Sequence, residues 1–189
     1  MTINVLFIHS AGSQSGQQGS SPFVKHLCAE LGPAFNVNSP KMPAPTRPSY
    51  ERWKNELEKQ LGNEKSPKIL IGHSLGGSVL LKYLSEQKSA FQAIALFIVA
   101  APYWGAKDWM VEEFILRKNF SQFLPVNLKI YLYQSRDDEV LPMEHLSYYS
   151  KAIPQAKVRK LKVGGHIFKN GCAELVQDIQ KLPNALVDV

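Results

Sequence analysis

Six short apolar runs punctuate the chain, at residues 3–8, 35–38, 68–71, 93–99, 128–133 and 158–163, each of strand length and bounded by polar or turn-forming residues. Most are apolar continuously rather than alternately, the pattern of a parallel strand buried on both faces; the run at 35–38 is the weakest. Between them, apolar residues recur at helical spacing over 22–31, 50–61, 75–86, 143–153 and 172–182. Parallel strands need crossover connections, and right-handed helical crossovers cover both sides of a sheet. The alternation therefore predicts an α/β fold, a doubly wound and mainly parallel six-stranded sheet with helices on both faces. In such a sheet the functional residues gather at the carboxyl ends of the strands.

One stretch breaks the alternation. Residues 103–124 form too long a connection between the fourth and fifth strands and carry Tyr103, Trp104, Trp109, Phe114, Phe120 and Phe123. The stretch is read as a short helical lid of one or two helices, with Trp104 and Trp109 as candidate substrate-binding residues; the plainer alternative is a packed crossover. Prolines cluster in PKMPAPTRP at 40–48, which excludes a central strand and predicts an extended surface connection into the helix of Trp53 and Leu57. No repeat or interdomain linker interrupts the chain, so 1–189 is read as a single domain with its lid-like insertion at about 103–124.

Composition changes this picture little. Hydrophobic residues at 44% and charged residues at 20% exclude a mainly disordered chain. The net charge of +6 comes from bases scattered along the sequence, so no nucleic-acid surface is expected. Lys157, Arg159, Lys160 and Lys162 cluster on the last strand, where basic residues commonly guard a sheet edge. Cys28 and Cys172 form no C-x-x-C pair and read as reduced fillers in helices. With no secretory leader and no apolar stretch of ~20 residues, the expectation is a soluble cytoplasmic protein without a membrane span.

The chemistry starts at Gly72-His73-Ser74-Leu75-Gly76. This is G-x-S-x-G, placed directly after a strand and directly before a helix. A serine on so tight a turn has strained backbone angles, and side chains two positions either side would clash, which the glycines avoid. A serine hydroxyl is a weak nucleophile alone and needs a histidine base and an acid to orient it. His9 ends the first strand, His26 and His145 fall in helical patterns and His73 lies inside the motif. His166, in Gly164-Gly165-His166 beyond the last strand, is left as the base. The acid belongs to the turn Ser135-Arg136-Asp137-Asp138-Glu139-Val140-Leu141-Pro142 after the fifth strand; by chemistry alone Asp137 and Asp138 both qualify. The order Ser, Asp, His along the chain is that of the α/β-hydrolases. The oxyanion hole requires the backbone N–H of Leu75, next to the nucleophile, and a second from the loop after the first strand, Ala11 with Ser10 as alternative. No phosphate loop and no metal-ligand spacing is present, so neither cofactor nor metal is expected.

The ordered set of INVLFIHSAGS, Met42-Pro43-Ala44-Pro45 followed by Trp53, GHSLGG, RDDEVLP and GGH resembles the α/β-hydrolase superfamily, and within it the small YdeN-like serine hydrolases similar to retinoblastoma-binding protein 9. The resemblance spans essentially the whole chain. It implies a six-stranded hydrolase sheet without extra N-terminal antiparallel strands and a triad of Ser74, Asp138 and His166, with Asp137 left to cap the turn. Many superfamily members have Gly three residues before the acid, where this chain has Ser135, and His-Gly after the first strand, where it has His9-Ser10. The activity expected is hydrolysis of a carboxylic ester, or a related thioester or amide, of a small substrate through an acyl-enzyme. The alternatives are acyl transfer by the same residues, and a non-catalytic member of the fold that binds a protein partner.

Overall fold

The apolar runs are strands, and the most apolar of them lie at the centre of the sheet. The computed structural model describes residues 2–62, 69–87 and 93–182. Strands β1 (Ile3–Ile8), β2 (Phe35–Asn38), β3 (Ile69–His73), β4 (Ala95–Val99), β5 (Lys129–Ser135) and β6 (Lys157–Leu161) pair in the order β2-β1-β3-β4-β5-β6, every pair parallel. Every residue of β3 and β4 is buried, whereas the edge strands β2 and β6 keep exposed positions. The predicted start of β3 at Lys68 lies outside the described residues.

Alternation along each strand divides the core in two. Leu6, Ile8, Leu70, Leu96, Ile98, Ile130 and Leu132 face α2 (Tyr50–Leu61), α3 (Leu75–Glu86) and α4 (Glu144–Ala152). Val5, Phe7, Ile69, Ile71, Phe97, Val99 and Tyr133 face α1 (Ser21–Leu31) and α5 (Ala173–Gln180). The chain runs outward from β1 to β2 and crosses back to β3, so the crevice beyond the carboxyl ends of β1 and β3 is the switch point where open α/β sheets bind ligands.

Residues 103–124 depart from expectation. They contain no α-helix, only two 3₁₀ turns at Glu112–Phe114 and Phe120–Phe123, and Phe114, Phe120 and Leu124 are buried in the core rather than raised over it. Aromatic density marked burial here, not helical period. Polar contacts fasten the segment down as well. Glu113 Oε2 accepts the N–H of Tyr50 at the start of α2 (2.7 Å), Lys82 Nζ donates to the Ile115 carbonyl (2.9 Å), and the Arg117 guanidinium donates to the Ser85 carbonyl.

Two further expectations need correction. Lys157 and Arg159 do more than guard the edge: both reach Asp178 on α5, Lys157 Nζ at 2.8 Å and Arg159 through Nε at 2.9 Å and Nη2 at 2.8 Å, while Tyr133 donates its hydroxyl at 2.5 Å. Burial alone would raise the Asp178 carboxyl; the hydrogen bonds from Arg159, Lys157 and Tyr133 outweigh it and hold the group well below the usual carboxylate range. The cysteines are free, as expected, but Cys28 sits exposed on α1 and buried Cys172 precedes α5 as its N-cap.

Candidate active site

Ser74 occupies the turn between β3 and α3 with φ 52° and ψ −123°, a conformation that L-residues rarely adopt. Its own N–H donates to the Val99 carbonyl (2.8 Å) and its carbonyl accepts from Gly77 (2.9 Å), which fixes the turn at both ends. The flanking glycines are required by space. A Cβ on Gly72 would come within 2.5 Å of Gly77 Cα, and one on Gly76 would overlap the carbonyl oxygens of Ile8 and His9 at the end of β1.

The structure brings together the three residues singled out from separate loops. His166 Nε2 lies 3.0 Å from Ser74 Oγ, and His166 Nδ1 lies 3.0 Å from each oxygen of Asp138. A carboxylate only accepts, so Nδ1 carries the proton and donates it, leaving Nε2 free to accept from the serine hydroxyl. Asp138 is fixed in turn, its Oδ1 accepting the N–H groups of Val140 (3.0 Å) and Leu141 (2.8 Å). It is therefore Asp138 that caps the turn as well as meeting the histidine. Asp137, expected to cap, instead reaches across to the histidine loop, accepting from Gly165 N–H at 2.9 Å and Gly164 N–H at 3.4 Å.

The loop after β1 stands beside the serine. The N–H of Ser10 is taken by Ser20 Oγ (2.8 Å), while that of Ala11 makes no hydrogen bond among the described residues, and neither does that of Leu75. Gln14 holds the loop, donating to the Ser10 carbonyl (3.2 Å) and accepting from Met42 N–H (2.7 Å). The proline segment closes over it, the Pro45 carbonyl accepting Gly12 N–H at 2.7 Å, so this stretch braces the site instead of merely crossing the surface.

A model of the family described as Serine hydrolase matches residues 15–182. The chain belongs to that family. Solved structures with the same fold include the ydeN gene product of Bacillus subtilis, with 21% identity, TM-score 0.75, 95% of this chain covered and 98% of that one. The esterase domain of a Rhodothermus marinus protein has 16% identity and TM-score 0.65, with 97% and 85% covered. A putative yden-like hydrolase from Pectobacterium atrosepticum has 15% identity and TM-score 0.69, with 97% and 92% covered. No curated protein sequence matches the chain significantly.

In this serine hydrolase a cavity of about 520 Å³ opens beside Ser74, in the size range of small-molecule sites. Ser10, Ala11, Leu75 and His166 form its polar end. Trp104, Trp109, Val111 and Phe114, with Pro48 and Ile167, make the remainder mostly apolar. Trp104 and Trp109 meet edge to face, ring centroids 5.5 Å apart, and Trp109 packs in the same way on His145 at 5.1 Å. Both tryptophans line this cavity, although no helix carries them. Among the described residues no cluster of His, Cys, Asp and Glu is arranged to hold a metal ion, and no helix is long and apolar enough to cross a membrane.

Sequence reasoning missed the part played by His73. This fully buried ring lies behind the serine, its Nε2 2.8 Å from the His166 carbonyl and its Nδ1 2.8 Å from Ser20 Oγ, which also lies 3.0 Å from Ser10 Oγ. The carbonyl can only accept, so Nε2 bears the proton and Nδ1 accepts from Ser20. Burial, reinforced by the adjacent His166 ring, pushes His73 down to about 3, so the ring stays neutral at any ordinary pH. The unfolded chain, with an ordinary histidine, takes up a proton below about pH 6.5 that the native ring refuses. Stability is thus intact above that pH and falls as pH drops toward 3, by up to about 1.4 kcal/mol per pH unit from this group. Urea unfolding of the wild type and His73→Gln at pH 7, 6, 5 and 4 should show a shallower pH slope in the variant; equal slopes would refute the assignment.

Proposed function

We propose that this serine hydrolase cleaves carboxylic esters of small, uncharged acyl groups through an acyl-enzyme. Ser74 Oγ attacks the carbonyl carbon as its proton passes to His166 Nε2, and Asp138 keeps His166 in the tautomer that accepts it. The N–H groups of Leu75 and Ala11 receive the negative charge that develops on the carbonyl oxygen. His166 returns the proton to the departing alkoxide, which leaves as alcohol. Water then attacks the acyl-serine, gives its proton to His166 and releases the acid, and Ser74 regains its hydrogen.

The observation that carries this reading is the unbroken line from Asp138 through His166 to Ser74, ending at the mouth of an apolar cavity. A protein that only binds has no use for a donor–acceptor chain with the proton at Nδ1 and the accepting lone pair on the serine side. The proposal takes the chain as one catalytic domain, with residues 103–124 forming a fixed wall over the acyl group in place of the helical lid. Trp104 and Trp109 set the acyl length.

A series of p-nitrophenyl esters from acetate to dodecanoate tests this. Turnover should peak at short or medium chains and fall by about tenfold or more at the longest, since roughly 1–3 kcal/mol attends each methylene that does or does not fit. Trp109→Ala should move the peak toward longer chains. A wild type that hydrolyses no ester, thioester or amide and resists a fluorophosphonate would overturn the proposal.

A further inference from the structure

Three consecutive acidic residues follow β5, and each grips a different part of the loop that carries His166. Asp138 holds the imidazole, as described. Asp137 takes the N–H groups of Gly164 and Gly165, and Glu139 Oε2 accepts the N–H of His166 itself at 3.0 Å. Three successive backbone N–H groups thus converge on two carboxylates, the geometry in which main-chain loops bind anions; here the anions belong to the same chain. We infer that Asp137 and Glu139 are positioning residues for the proposed reaction, fixing the backbone of His166 so that Nε2 stays within reach of Ser74.

The local sequence fits this assignment. Gly165 has φ +58°, the left-handed region, and a Cβ there would lie 3.2 Å from Glu139 Oε2, so the residue that allows the turn also allows the carboxylate to approach. Two adjacent glycines make the most pliant connection a chain can have, and left untied they would let the imidazole wander. Ser135, which stands where many superfamily members have glycine, is fully buried and donates its hydroxyl to Asp137. From the opposite side the His166 carbonyl accepts from His73, so the residue is held at its N–H, its carbonyl and its Nδ1. Charge-assisted bonds to backbone N–H groups are stronger than neutral ones, and misplacing a reacting group by 1 Å can cost about 10²-fold in rate. Neither carboxylate lines the cavity, so substrate binding should be spared.

The inference rests on the hydrolase reading for its kinetic arm and stands alone for its spectroscopic arm. On the best p-nitrophenyl ester, Asp137→Ala and Glu139→Ala should each lower kcat about tenfold, and the double variant about 10²-fold, with KM within about twofold of wild type. Glu139→Gln should recover most of what Glu139→Ala loses, because an amide oxygen can still accept the His166 N–H. Both side chains are exposed, so Glu139→Ala should move the thermal midpoint little, while Asp137→Ala, which takes the acceptor from the buried Ser135 hydroxyl, should lower it by a few degrees. In the proton spectrum wild type should show a downfield Nδ1–H resonance from His166, and this resonance should broaden or vanish in the double variant. A double variant with wild-type kcat, a loss confined to KM, or an unaltered Nδ1–H resonance would overturn the inference. If wild type neither turns over nor reacts with a fluorophosphonate, the hydrolase reading fails, and the resonance still decides whether the two carboxylates hold the histidine.

Discussion

Ser74→Ala should lose at least about 10⁴-fold in ester turnover and all labelling by a fluorophosphonate, while unfolding within a few degrees of wild type. The loss is large because, among the described residues, the hydroxyl that meets His166 Nε2 is that of Ser74, 3.0 Å away. The small effect on stability follows from the geometry of the turn: its hydrogen bonds to Val99 and Gly77 are made by backbone groups that alanine keeps. Equal labelling of the variant would move the nucleophile elsewhere, and a folded variant with wild-type turnover would dismiss it altogether.

The second large effect separates two neighbouring carboxylates. Asp138→Asn should approach Ser74→Ala in severity, on the order of 10⁴-fold, the value known for the corresponding change in chymotrypsin-type enzymes. Asparagine can keep the cap by turning its oxygen toward Val140 and Leu141, but its amide group then faces His166 Nδ1 and favours the tautomer with the proton on the wrong nitrogen. Asp137→Asn should lose about tenfold or less, since an amide oxygen still accepts from Gly165. A steady-state comparison of the two variants checks the ranking, and the reverse order would make Asp137 the acid.

The sequence already revealed the parts that depend on local pattern. Five helices and six strands fall where apolar spacing put them, within one or two residues at most ends, because a strand buried on both faces and a helix along a sheet each leave a periodic mark. The turn at Ser74 was legible from its motif and from local sterics at Gly72, where a Cβ would strike Gly76 and Gly77 a few residues on, whereas Gly76 answers to the distant end of β1 at Ile8 and His9, which the motif implies only indirectly. What could not be read are bonds between residues distant in sequence and ordinary in type. His73 and Ser20 are 53 positions apart and Arg159 and Asp178 are 19; nothing in either neighbourhood announces the partner. The aromatic segment 103–124 misled in another way, because tryptophan and phenylalanine report that a segment will be buried and say little about whether it coils. A run of three acids facing Gly-Gly-His was visible as a composition, but its use became clear only once the two loops lay side by side.

Fixing His166 at three points has a kinetic consequence. Its Nε2 has one place to be, so in the proposed cycle the departing alcohol and the incoming water must occupy the same spot in succession. The order of events is then ping-pong, with the first product gone before the second substrate arrives. Whatever small hydroxylic molecule enters that vacancy meets the same base and the same acyl-serine. Partition between acid and transesterified product becomes a matter of the relative concentrations of water and alcohol and of how well each fits the vacated position, and hydrolase and transferase behaviour are two outcomes of a single occupied intermediate.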